Sequence, residues 1–158
     1  MSPLGLMFRL LTGCRQSEYR GIGFLEGHKE LDGGMSFDGF SGTLLREMRS
    51  RMDQWLDGQN GPKKYFHNYK NEDPEHRNCF VFKYREHRLY GFLCNPKPDD
   101  RRFQLCALCI YATKFEWETE KSELDRVEQW CGSLGAIQAI AMQYPPVDKS
   151  GGKKEWKN

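Results

Sequence analysis

Between Cys79 and Glu128 the hydrophobic period of the chain changes from two to helical, and this constrains the fold more than any other feature. The run CFVFKYREHRLYGFLC alternates in register: Phe80, Phe82 and Tyr84 fall on one side of an extended segment, and Val81, Lys83 and Arg85 on the other. A turn around Glu86–His87 returns the chain through Arg88–Cys94, where Leu89, Gly91 and Leu93 alternate with Arg88, Tyr90 and Phe92. Such a hairpin carries one core face and one basic, aromatic face. The connection NPKPDDRR, with two prolines, leads to Phe103–Ala112, which is apolar on both faces as a central strand is. A helix follows: Thr119 suits its cap, Glu120 and Glu123 place negative charge in its first turn, and Leu124, Val127 and Cys131 share a face.

Upstream, Leu44, Leu45, Met48, Met52, Trp55 and Leu56 recur at three- and four-residue steps, predicting an amphipathic helix over Thr43–Asp57. Glu47 and Arg51 lie one turn apart on it and are placed to pair, Gly58 is a plausible stop, and Gly61–Pro62 bars continuation. Residues 63–78, KKYFHNYKNEDPEHRN, read as an ordered polar loop. Leu6–Leu11 and Tyr19–Leu25 each suit a short strand, and Gly33–Gly34 a turn. The Ala-rich LGAIQAIAMQY (134–144) reads as a buried helix or a last strand, ended by Pro145–Pro146. The expected organisation is a single domain over residues 1–147, including an N-terminal extension, and a flexible polar tail over 148–158.

A chain of 158 residues suits one domain. Its 24 basic and 22 acidic residues leave a net charge of +2, so any basic site must be a local patch. No apolar run approaches the roughly 18 residues of a membrane helix, and MSPLGLMFRLL does not read as a signal peptide. The expectation is a cytoplasmic protein whose six cysteines are free thiols. Cys106-x-x-Cys109 invites a metal or redox reading, but residues three apart on a strand point to opposite faces. The four histidines form no HxxxH or HxH pair, and GxxxxGK[ST], GxSxG and HExxH are absent, so no metal or cofactor is expected.

The remaining candidate is the basic, aromatic face: Lys83, Arg85, Arg88, Tyr90 and Phe92, with Lys114 at the end of the next strand. Alternating cations can grip successive phosphates and the rings can stack on bases, which suits single-stranded RNA. The alternative is an ordinary sheet face, solvated or covered by a helix.

The order of amphipathic helix, polar loop, CFVFKYREHRLYGFL hairpin, apolar strand ending in ATKFEWET, and helix starting near Ser122-Glu123-Leu124 resembles the RelE/ParE/HigB toxin superfamily, including its phage-derived toxins, over residues 43–130. The resemblance implies an α+β fold with helices packed on a small antiparallel sheet. Lys83 and Arg85 match the family's strand of alternating cations, Arg88 the YR-like start of the next strand, and Lys114 the lysine after the third. It further implies metal-independent, ribosome-dependent cleavage of mRNA, inhibition of translation, and neutralisation by an antitoxin. Arg88, Lys114 and Lys83 would then be the catalytic cations, and Arg85, Tyr90 and Phe92 would bind RNA. Glu116, Glu118 and His87 are candidate proton acceptors. Phe115 stands where RNA-cleaving members usually carry a further Arg. That departure motivates a second reading: a non-catalytic binding module on the same fold, such as a phage-encoded inhibitor of a host defence or regulatory protein.

Overall fold

The computed structural model describes residues 5–12 and 17–144, and the backbone of 147–148 and 152–153. The two N-terminal apolar segments form strands β1 (Met7–Leu10) and β2 (Arg20–Glu26). Helices α1 (Gly33–Asp38) and α2 (Gly42–Leu56) follow, then the short strand β3 (Phe66–Asn68) and one 3-10 turn at Pro74–His76. The hairpin is β4 (Cys79–Tyr84) and β5 (His87–Cys94), and the apolar strand is β6 (Gln104–Thr113). Helices α3 (Lys121–Cys131) and α4 (Leu134–Ala141) complete the main body. Strands β7 (Val147–Asp148) and β8 (Gly152–Lys153) pair with each other, and the rest of the expected polar tail lies outside the described residues.

The architecture is mixed α+β, with six strands in the order β1-β2-β6-β5-β4-β3. This sheet is larger than the small one expected, and it is not wholly antiparallel: β2 runs parallel to β6, with Ile22 opposite Cys106. A parallel neighbour requires a crossover, and α1 through β5 supply it. Both faces of the sheet are covered. On one face Phe24, Phe80, Phe82, Leu89 and Leu108 pack with Phe37, Met48, Met52 and Trp55 of α1 and α2. On the other, Val81, Tyr90, Phe92 and Ile110 pack with Leu124, Val127, Ala136 and Ile140 of α3 and α4. Burial of each large apolar side chain in these layers contributes about 1.5–3 kcal/mol, the force that holds the helices to the sheet.

Strand β6 is central, as its apolar sequence predicts, and carries a register shift against β5 between Tyr90 and Gly91. There Tyr90 faces Ile110 while Gly91 faces Leu108, leaving Cys109 as an extra residue in the ladder. Gly91 is required by this approach: a Cβ at this position would lie 2.4 Å from the Ala107 carbonyl oxygen.

Several local readings are corrected. Gly33–Gly34 opens α1 rather than turning the chain. Their lack of side chains brings α1 onto the sheet, since a Cβ on Gly33 would lie 3.1 Å from the Cys109–Ile110 backbone and one on Gly34 3.0 Å from the Phe24 Cβ. The hairpin turn falls on Arg85–Glu86, one residue earlier than expected, with Arg85 at φ 53°. The polar stretch 63–78 contains β3, because Phe66 and Phe82 pair across the ladder and bury together. The cap of α3 falls on Glu120, one residue later than the Thr119 expected, while two α2 signals hold: Arg51 meets Glu47 at 2.9 Å, and Gly58 ends α2 at φ +79°. Residues 134–141 adopt the helical option, with the Ser133 Oγ accepting a hydrogen bond from the Ala136 N–H at 3.1 Å. No helix among the described residues is long and apolar enough to cross a membrane.

Candidate functional site

Strands β4, β5 and β6 meet at one sheet end where β4 stops, β5 starts and β6 stops. Lys83 sits directly across the ladder from Arg88, and the Lys114 N–H donates to the Glu86 carbonyl at 2.7 Å just past β6. The three cations expected from sequence therefore occupy one region. The N-terminal end of α3 adds two carboxylates, Glu120 at the cap and Glu123 in the first turn. Glu120 accepts hydrogen bonds from both the Tyr69 hydroxyl, at 2.9 Å, and the Tyr90 hydroxyl. The Lys114 Nζ pairs with the Glu123 Oε2 at 3.1 Å, while the buried Oε1 of Glu123 accepts no hydrogen bond.

The three cations are not equivalent. Arg88 is buried and donates to the carbonyls of Arg85 and, at 3.0 Å, His87, so its guanidinium ties down the hairpin turn. Lys114 is held by Glu123. Lys83 is half-buried; its backbone N–H donates to the Tyr65 carbonyl at 2.8 Å, while its ammonium group has no ion-pair partner among the described residues. Burial lowers its pKa, the adjacent Arg88 lowers it further, and the fields of Glu120 and Glu116 act in the opposite sense. A desolvated lysine of this kind gives up its proton more readily than an ordinary one.

The aromatic part of the expected surface is not available to bases. Tyr90 is 0% exposed and Phe92 1% exposed, because the face that carries them lies under α3 and α4. Their physical role is packing, and the Tyr90 hydroxyl is satisfied by Glu120. Burial first, then the Glu120 charge and hydrogen bond, push the Tyr69 hydroxyl pKa far up; for Tyr90, burial again leads, followed by its hydrogen bond to Glu120. Arg85 is exposed at the turn, its guanidinium 5.4 Å from the Tyr84 ring centre. Of the candidate proton acceptors, Glu116 and Glu118 are exposed, with the Glu118 Oε1 accepting from the Phe115 N–H at 2.9 Å. The His87 Nδ1 lies 2.6 Å from the Tyr111 hydroxyl. Phe115 stacks on Trp117 with ring centres 4.8 Å apart, both exposed beside Lys114.

Sequence reasoning missed Tyr69, and it assigned Glu120 and Glu123 only to the helix dipole. Glu-x-x-Glu at a helix start carries no mark of which oxygen turns inward. A second group braces the region: His76 is buried, with its Nδ1 2.7 Å from Asp73 and its Nε2 2.6 Å from Asp125, which also meets Lys121 at 2.7 Å. Carboxylates on both ring nitrogens favour the imidazolium. A cleft of about 290 Å³ between this clasp and Glu120 is lined by Tyr69, Asp73, Thr119 and Leu124.

Cys106 and Cys109 point to opposite faces of β6. Cys106 belongs to the α1/α2 side of the core and Cys109 to the α3/α4 side, as strand alternation requires. All five described cysteines are free, and no cluster suited to a metal ion occurs among the described residues.

The fold and this cluster together define a three-layer α+β domain with a cationic, carboxylate-lined sheet end. No family model matches the sequence, and neither the curated proteins nor the solved structures offer a match.

Proposed function

We propose that this protein is a RelE-like toxin, a metal-independent endoribonuclease that cleaves mRNA on the ribosome and is neutralised by an antitoxin. The observation that supports this reading most is Lys83: a half-buried lysine with a lowered pKa and no ion-pair partner among the described residues, directly across the ladder from Arg88. Cleavage by transesterification needs a group that takes the proton of the 2′-hydroxyl as its oxygen attacks the adjacent phosphorus. The bond to the 5′-oxygen then breaks as that oxygen takes up a proton from water, and the products are a 2′,3′-cyclic phosphate and a 5′-hydroxyl. In this scheme Lys83, acting from its unprotonated form, accepts the proton. Arg88 and Lys114 supply positive charge beside the phosphorane, and Lys114 reaches it by exchanging Glu123 for phosphate.

The second reading is a non-catalytic binding module on the same fold, such as an inhibitor of a host defence or regulatory protein. It is favoured by the internal engagement of Arg88 and Lys114 and by the helices over Tyr90 and Phe92. Induction in bacteria, with mapping of mRNA 5′ ends beside the Lys83→Ala variant, separates the two. Growth arrest with new codon-phased ends, reduced at least ~100-fold by Lys83→Ala, supports the nuclease. Absence of both arrest and new ends overturns it in favour of the binding module.

A further inference from the structure

The sheet end opposite Lys83 holds a second cationic feature. There β2 and β6 begin side by side, β5 ends, and β4 begins. A cleft of about 640 Å³ at this end is lined by Arg20, Lys70, Arg77, Arg101 and Arg102, with no carboxylate among its lining residues. Two carboxylates close in sequence to the lining residues are spent elsewhere or weakly placed. Glu128 is turned to the Asn78 backbone N–H at 2.9 Å, and Asp100 stands 3.9 Å from the Arg102 Nε. Lys70, Arg77 and Arg101 are exposed and form no ion pair among the described residues. Net charge is only +2, so this concentration is a property of one surface rather than of the whole chain.

Arg20 is the fixed centre of the feature. Its Nη1 donates to the Trp55 carbonyl at 2.6 Å and its guanidinium lies 4.8 Å from the Trp55 ring centre. It lines this trough and also two neighbouring clefts, of about 170 and 330 Å³, the larger of which carries Glu72. The cations stand at the starts of β4, β6 and β2, three strand spacings apart in total, or roughly 14 Å. That span exceeds a single phosphate and matches a chain of them. At the rim, Tyr19 is 44% exposed, with the Arg102 guanidinium 4.6 Å from its ring centre. A basic trough with an aromatic at its edge is the arrangement that tracks a single nucleic-acid strand.

We propose that this trough binds the phosphate backbone of single-stranded RNA, as a site separate from the Lys83 end of the sheet. The inference does not rest on cleavage, because no residue of the trough belongs to the proposed chemistry.

The test is fluorescence anisotropy of the full chain with a labelled 2′-O-methyl oligouridylate of about 12 nucleotides. This probe lacks the attacking hydroxyl, so failure of the nuclease reading and failure of this one are read separately. The Arg77→Glu/Arg101→Glu variant changes two exposed side chains, and Lys29→Glu/Arg46→Glu alters net charge equally at exposed positions outside the trough. At least ~10-fold weaker binding by the first variant than by the second, with a shallower salt dependence, is the expected result. Equal binding by the two variants, no binding by the unaltered protein, or displacement of the RNA by polyglutamate at equal charge overturns the proposal.

Discussion

Lys114 and Glu123 show how a single contact complicates a functional test. Their side chains are 18% and 11% exposed and meet at 3.1 Å. Removing the lysine leaves a carboxylate buried without a partner, which costs about 3–5 kcal/mol. Lys114→Ala is therefore expected to lower the urea midpoint sharply, and the Lys114→Met/Glu123→Met double variant to recover most of the loss. If the double variant is no more stable than the single one, the pair is not the origin of the cost. Lys83, with no such partner, is the cleaner probe of chemistry.

His76 makes a different residue-level prediction. Burial alone would lower its pKa, but the hydrogen bonds to Asp125 and Asp73 outweigh burial and the net direction is up from 6.5. A group raised in the folded state contributes its full stability below about pH 6.5 and loses it as pH rises through the folded pKa. The hydrogen bond from His76, followed by that from Lys121, lowers the pKa of Asp125 below its ordinary 3.8, so its contribution is lost only as pH falls into the acid range. The clasp is thus at full strength between roughly pH 4 and 6.5. Urea midpoints compared at about pH 5.5 and about pH 8.5 should converge for the wild type and His76→Asn as pH rises. A constant gap would count against an imidazolium.

At the scale of elements, the hairpin and α2 are the two places where sequence pattern and structure agree most closely, and both make predictions. Trp55 closes the α2 face against Phe80 and Phe82, with ring centres 5.4 and 6.1 Å away. Trp55→Ala should cost about 3–5 kcal/mol in a thermal or urea melt. It should also loosen Arg20, whose guanidinium rests on the same ring. Gly91→Ala should cost about 1–3 kcal/mol, because its methyl group meets the β6 backbone at the bulge. Period-two alternation located β4 and β5, but it could not show the bulge. Alternation reports which residues share a face of one strand, whereas a bulge depends on the partner strand.

On the scale of the whole molecule, the sheet is filled from both sides, and the thiols report on that filling. Cys79, Cys106 and Cys109 are 0% exposed, while Cys94 and Cys131 are half-buried. Burial pushes the Cys94 thiol up to about 12, so even this more accessible group is a poor nucleophile at neutral pH. Among the described cysteines, mass-spectrometric alkylation of the native protein should label Cys94 and Cys131 first, and Cys79, Cys106 and Cys109 only after denaturant. Early labelling of Cys106 or Cys109 would mean that one helical layer opens readily.

By itself the sequence determined the elements: the α2 stripe, the β4–β5 alternation, the doubly apolar β6 and the opposite placement of Cys106 and Cys109 all follow from local periodicity. It also brought Lys83, Arg88 and Lys114 to neighbouring strand ends. Only the tertiary structure decided which groups are free. The same alternation describes a sheet face open to solvent and one covered by α3 and α4, since covering depends on contacts far apart in sequence. That covering turned Tyr90 and Phe92 from surface rings into core and gave Lys114 to Glu123, leaving the Lys83 ammonium without an ion-pair partner among the described residues, while the strand order gathered Arg20, Lys70, Arg77 and Arg101 from separate segments into one trough.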